Sequence, residues 1–295
     1  MEYVRNPTVA GMFYPDEPKR LINEIEQCFL TNPGPLTVPT PSDTESSLFG
    51  VIVPHAGFRF SGGISAHAFK TIKEAGLFDV FIILGPNHQG IGSRVALSPH
   101  DSWQTPLGKI PVDTVLKNTL PGGIIELDDL SYSNQENSIE VQLPFLQYIY
   151  RGHHFSIAPI VMALQDHHTS KKTGEQLAKI IKTDERRICV IASTDLSHEG
   201  VGYGRIPPKD LRVDEYARTQ DGYAVKKILQ GDSAGLIDVI YEKNISMCGY
   251  GPVIALLSAA KICDNTTVEL LKYGTSYDLY PDSSACVGYG AFAIR

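Results

Sequence analysis

Val80-Phe81-Ile82-Ile83-Leu84-Gly85-Pro86-Asn87-His88 decides the fold. Five apolar residues, mostly β-branched or aromatic, run without a polar break and stop at Gly85-Pro86. Such a run reads as a strand buried on both faces, the habit of parallel strands covered by helices. Two further runs are of the same kind: Val51-Ile52-Val53-Pro54-His55-Ala56-Gly57 and Ile188-Cys189-Val190-Ile191-Ala192-Ser193-Thr194-Asp195-Leu196-Ser197-His198. In open α/β sheets, ligands bind outside the carboxyl ends of the strands. The three runs end on His55, His88, Asp195 and His198, residues that handle metals or protons, so these four are expected on one rim.

Outward from these strands, helical and strand patterns alternate, which fits an α/β protein with a mixed, largely buried sheet flanked by helices. Asp16-Glu17-Pro18 opens a helix, with Asp16 as its expected cap, and Leu21, Ile22, Ile25, Cys28 and Phe29 share one face. Residues 31–47 carry four prolines and read as a loop inside a single domain spanning 1–295, since about thirty residues before it cannot form a core of their own. Helical patterns are expected from Gly62-Gly63 to about Lys73, from Glu140 to about Tyr150, and around Glu175–Ile181. Others cover Val213–Leu229, Ser233–Tyr241 and Val253–Ile262. Trp103–Gly108 predicts a turn into a hairpin, and Phe155–Val161, Val268–Tyr273 and Val287–Ile294 predict strands.

With 295 residues, a net charge of −7 and a pI near 5.7, the chain does not suit a nucleic-acid or acidic-membrane surface. No stretch reaches the roughly 18 apolar residues needed to span a bilayer. The N-terminus lacks a secretory pattern, which predicts a cytoplasmic protein. Five widely spaced cysteines without a C-x-x-C argue against a disulfide framework or zinc ribbon.

Cys248-Gly249-Tyr250-Gly251-Pro252 immediately precedes the apolar helix. A thiol at a helix N-terminus is biased toward thiolate, the form that binds metal; a small residue filling a tight corner is the alternative. His55 and His88 hold equivalent places after their strands, and imidazole is the commonest metal ligand. Asp195 and His198 can share a site, or Asp195 or Ser197 can cap a helix with His198 exposed. His67 is expected to face core or solvent, while His153-His154 and His167-His168 read as exposed loop residues. Gly200-Val201-Gly202-Tyr203-Gly204 lacks nucleotide-loop spacing.

Taken in order, seven segments resemble the Memo family: Ala10–Pro15, Pro54-His55-Ala56-Gly57, Leu84–His88, Thr105–Gly108, Glu136-Asn137-Ser138-Ile139-Glu140, Ser193–His198 and Cys248-Gly249. The resemblance implies a single domain like that of the class III extradiol dioxygenases, which hold non-haem iron through two histidines and a carboxylate. In the Memo family the corresponding set is two histidines and a cysteine. Matched by motif, these are His55, His88 and Cys248, with His198 and Asp195 as the acid–base and neighbouring polar residues. The resemblance further implies redox-active metal proteins, phosphotyrosine-peptide adaptors among animal members, and a radical-SAM protein as companion in microbes. This chain has Asn137 where the family often has His, and Phe58 and Phe60 where tyrosines commonly stand. Phe13 replaces a Trp of animal members.

Three functions are compatible with these residues. A metal-dependent oxidoreductase would use iron, copper or zinc at the His/His/Cys set. A zinc-type hydrolase would take Asp195 or Glu140 as base. A non-catalytic module would bind a small molecule or peptide at the rim.

Overall fold

The computed structural model describes residues 2–40, 47–132 and 135–295. In chain order its elements are β1 (Val4–Arg5), α1 (Pro18–Leu30), β2 (Gly50–Val53), α2 (Gly63–Glu74), β3 (Val80–Pro86), β4 (Val95–Leu97), β5 (Ser102–Thr105), β6 (Gly108–Pro111), α3 (Thr114–Thr119) and β7 (Glu126–Leu127). There follow α4 (Leu143–Ile149), β8 (Ser156–Met162), α5 (His167–Ile181), β9 (Ile188–Ser193), β10 (His198–Glu199), α6 (Val213–Leu229), α7 (Ser233–Lys243), α8 (Tyr250–Ile262), β11 (Val268–Thr275), α9 (Ser276–Leu279) and β12 (Cys286–Ile294).

A nine-stranded mixed sheet runs β10-β12-β2-β9-β3-β8-β4-β7, with β11 also paired to β12. Its centre, β2-β9-β3-β8, is parallel. Strands β12 and β4 add antiparallel to either side of that centre. Alternate residues of the central strands enter different cores. Val51, Val53, Phe81, Ile83 and Ile191 pack with α1, α2 and α4 on one face. Ile52, Ile82, Leu84, Val190 and Ala192 pack on the other face with α5 and α8. Two covered faces remove any need for a polar side, which is why these strands read as unbroken apolar runs. Helix α8 lies inside the second core with every residue from Gly251 to Ala260 buried.

Several boundaries differ from expectation. The cap of α1 is Glu17, not Asp16: its carboxylate accepts from the Lys19 and Arg20 amides at 3.0 and 2.9 Å, and Pro18 follows as the first helical residue. Helix α5 begins at His167, capped by Asp166, so His167-His168 form its first turn rather than a loop. Asp195 and Ser197 cap no helix; they lie between β9 and β10. His67 faces neither core nor bulk solvent alone: its Nε2 bonds the Pro33 carbonyl at 2.9 Å and ties the proline-rich loop to α2. That loop holds neither helix nor strand over residues 31–40, and its residues 41–46 lie outside the described ones. It separates no second core, since Leu21, Ile25 and Phe29 of α1 join the same apolar cluster as α2 and α4. No helix among the described residues is long and apolar enough to cross a membrane.

Candidate metal centre

The carboxyl ends of β2, β9 and β3 lie side by side, because β9 is inserted between the other two. Two residues beyond β2 comes His55, two beyond β9 comes Asp195, and two beyond β3 comes His88. Adjacent strand ends stand about 5 Å apart, so equal offsets bring these side chains to one place. Cys248 is brought in just before the start of α8. One ligand atom from each of His55, His88 and Cys248 lies within 4.8 Å of the others. The two imidazole rings meet edge to face with centroids 5.1 Å apart, and His55 Nε2 stands 3.2 Å from Cys248 Sγ.

The surrounding hydrogen bonds assign both ring tautomers. Ser193 Oγ gives its one hydrogen to the Ser138 carbonyl at 2.6 Å. It must therefore accept from its other neighbours, Gln142 Nε2 and His55 Nδ1, both at 2.9 Å. His55 Nδ1 therefore carries a hydrogen, and Nε2 is the nitrogen that faces the sulfur. Glu136 does the same for the second ring: its carboxylate accepts from His88 Nδ1 at 3.1 Å and from the His88 amide at 2.7 Å. A carboxylate or hydroxyl behind each imidazole is the usual support of metal-binding histidines.

Burial opposes charge on all of these groups, yet their mutual attraction prevails. The Cys248 thiol, which burial would raise, is brought down to about 5 by the two imidazoles. His88, which burial would lower, is raised to about 10 by Cys248 and Glu136. His55 is raised by Cys248 and Asp195 despite burial, and Glu136 is lowered to about 2 against burial by His88 and Ser138. The thiolate is thus balanced by imidazoles that hold protons toward it, and a metal ion would bind here in exchange for those protons. The donor set fits a soft or borderline metal ion, and His55, His88 and Cys248 are the residues that would hold it.

The segment after β9 organises the remainder. Thr194 Oγ1 gives its hydrogen to the Asp195 carbonyl and accepts from the Gly249 amide at 2.9 Å, locking the start of α8 to β9. The Asp195 amide donates to Cys248 Sγ at 3.2 Å. The Asp195 carboxylate accepts from the His55 and Ala56 amides at 2.8 and 3.3 Å, so it positions the His55 turn. His198 takes its orientation from elsewhere: its Nδ1 donates to the Ser246 carbonyl at 3.1 Å, which leaves Nε2 free to accept a proton in the neutral ring. A cavity of about 600 Å³ opens on this rim and is lined by His55, His88, Asn137, Asp195 and His198.

His55, His88 and Cys248 come together, and His55, His88, Asp195 and His198 line the cavity, whereas Glu140 does neither. It is fully buried, its carboxylate spent on Arg5, the Thr8 and Val9 amides and the Tyr14 hydroxyl, and it cannot serve as a base. Roles for Glu136, Ser193 and Gln142 were not legible; only the motif order drew attention to Glu136. Of the residues replacing family tyrosines, Phe58 is buried against Phe145 and only Phe60 reaches the cavity. Asn137 donates to the His55 carbonyl at 3.2 Å. The exposed pair His153-His154 lies in a loop as expected. Gly231-Asp232-Ser233-Ala234-Gly235 has the G-x-S-x-G spacing, but it joins α6 to α7 rather than a strand to a helix, so it is no nucleophile elbow.

The chain matches the family model described as Memo-like protein over residues 5–293. It is 41% identical to a MEMO1 family protein of Methanopyrus kandleri, covering 99% of both chains. A MEMO1 family protein of Methanocaldococcus jannaschii is 40% identical, with 100% of both chains covered. An uncharacterized protein from Escherichia coli K12 of known crystal structure shares the fold, with a TM-score of 0.54 at 12% identity, over 82% of this chain and 99% of that one. The chain belongs to the Memo-like family.

Proposed function

We propose that this Memo-like protein is a metal-dependent oxidoreductase acting on a small molecule. The observation that carries this reading is the convergence of two tautomer-fixed imidazoles and a thiolate, within 4.8 Å of one another, beside a cavity of about 600 Å³. Bound there, iron or copper would supply electron transfer and zinc Lewis acidity, at a site softer than the two-histidine, one-carboxylate face of the dioxygenases. The chain's own residues supply the rest. His198 accepts and returns a proton at Nε2 on the cavity wall. Asp195 keeps His55 in place by accepting from its backbone amide.

Metal analysis of protein purified without added metal tests the reading. Near-stoichiometric iron or copper, lost in His55→Ala, His88→Ala and Cys248→Ser variants, is the expected result. Stoichiometric zinc, with hydrolysis that needs neither oxygen nor reductant, would turn the reading to a hydrolase with Asp195 as base. A protein free of metal that binds peptide partners at full affinity would turn it to a binding module. The family resemblance adds a radical-SAM protein as partner, to be tested by co-purification.

A further inference from the structure

Four residues beyond His55, the chain carries Arg59 on a π-helical turn, Phe58–Gly62. Such turns are rare and recur at functional sites. Arg59 is the one lysine or arginine among the residues lining the cavity. Its guanidinium lies over the Phe60 ring at 4.5 Å and near the Tyr280 ring at 5.4 Å, and those rings meet edge to face at 5.4 Å. No carboxylate among the described residues forms an ion pair with it. Asp282, on the same cavity, spends its carboxylate on Ser284, and Asp278 pairs with Arg218. Stacking engages the flat face of a guanidinium and leaves its in-plane N–H fork available, so Arg59 is an ordered cation with unspent donors.

The turn is held at its start. The Phe58 amide donates to the Phe13 carbonyl at 2.8 Å, and the His55 and Ala56 amides are held by Asp195. Arg59 and His55 therefore stand in a fixed relation, one at the mouth and one on the floor of the cavity. Exposed apolar side chains complete the mouth: Met12 at 61%, Tyr203 at 46% and Tyr280 at 49% exposure. A cationic and apolar mouth and a floor bearing His55 and His88 thus share a volume suited to a small molecule.

We propose that Arg59 is the specificity-determining anchor of this site, and that the substrate is a small molecule with an apolar middle and a terminal oxyanion. Arg59 grips the oxyanion, a carboxylate or phosphoryl group, while the other end of the molecule lies against His55 and His88. The proposal deepens the reading above and rests on it for the identity of the reacting end, but anion capture by Arg59 does not require a metal.

Calorimetric titration with three probes tests it: phenylacetate, benzylphosphonate and the neutral isostere phenylacetamide. Each is added to wild-type protein as purified, to a chelator-treated portion, and to Arg59→Gln and Arg59→Lys variants, with metal content measured on every sample. At least one anion should bind about tenfold or more tightly than the amide. That preference should vanish in Arg59→Gln, with melting temperature and metal content unchanged, and return only in part in Arg59→Lys, which keeps the charge but not the fork. The tighter anion identifies the oxyanion class. Absence of anion binding to the wild type, equal binding of the amide, or undiminished anion binding in Arg59→Gln would each overturn the proposal. Arg59-dependent binding in a protein that holds no metal would sink the oxidoreductase reading and leave this one standing. Full metal content with Arg59-independent binding would do the reverse.

Discussion

At the scale of single residues, the candidate site depends as much on what stands behind the ligands as on the ligands. Glu136 fixes which nitrogen of His88 carries hydrogen, and Ser193 does so for His55. Glu136→Gln keeps the size of the side chain but removes the charge that holds Nδ1 protonated. Metal affinity, measured by competition with a chromophoric chelator, should fall about 10- to 100-fold while the fold persists. An unchanged affinity would show that His88 needs no support. His55 and His88 stood out in the sequence because each follows an apolar run, and Cys248 because it precedes one, but only the family resemblance grouped the three as one ligand set. Glu136 and Ser193 could not: their bonds join residues 48 and 138 positions apart in the chain, and no local period encodes such pairing.

Between elements, the position of Cys248 depends on how closely α8 approaches β9. Gly249 sits where an added Cβ would fall 2.7 Å from the Thr194 Cβ and against the Ser193 carbonyl, so Gly249→Ala must push the helix start away from the strand end. It should weaken metal binding without touching a ligand, while Gly222→Ala, where an added Cβ meets open space, should not. The same chelator competition decides. On the other side of the sheet, the N-terminal segment is tied to Glu140, in the 3-10 turn Glu140–Gln142 before α4, by the Arg5–Glu140 pair at 2.7 Å, with side chains 3% and 0% exposed. Removing one partner strands a buried charge. Arg5→Met alone should cost about 3–5 kcal/mol in denaturant unfolding. Glu140→Met also takes the acceptor from the Thr8 and Val9 amides and the Tyr14 hydroxyl, so the double variant should lose less than the sum of the two single losses without returning to wild type. A double loss equal to that sum would refute this.

For the molecule as a whole, one buried acid makes stability depend on pH. Asp221 of α6 is pushed up to about 6, chiefly by burial, although the Ser197 amide and Tyr273 hydroxyl donate to it at 2.7 and 2.6 Å. Its folded form holds a proton more tightly than its unfolded form. The contribution is therefore fully present below about pH 4 and is lost as pH rises through about 6. About 3 kcal/mol should disappear across that window relative to Asp221→Asn, which has no charge to bury. Parallel pH–stability curves for the two proteins would exclude the effect. Because Asp221 holds the amide next to His198, the same proton bears on the loop that carries the proposed acid–base residue.

By itself, the sequence determined the layered α/β plan, the strand ends and the four residues expected on one rim, with Cys248 added by the family resemblance. Apolar periodicity and glycine or proline stops are local signals, and a side chain two positions past a buried strand has one edge of the sheet to occupy. Only the tertiary structure decided the rest. The insertion of β9 between β2 and β3 brought the strand ends into contact, long-range hydrogen bonds chose the tautomers, and burial took Glu140 out of the chemistry. Those outcomes depend on distances between residues remote in the chain, which no short stretch of sequence encodes.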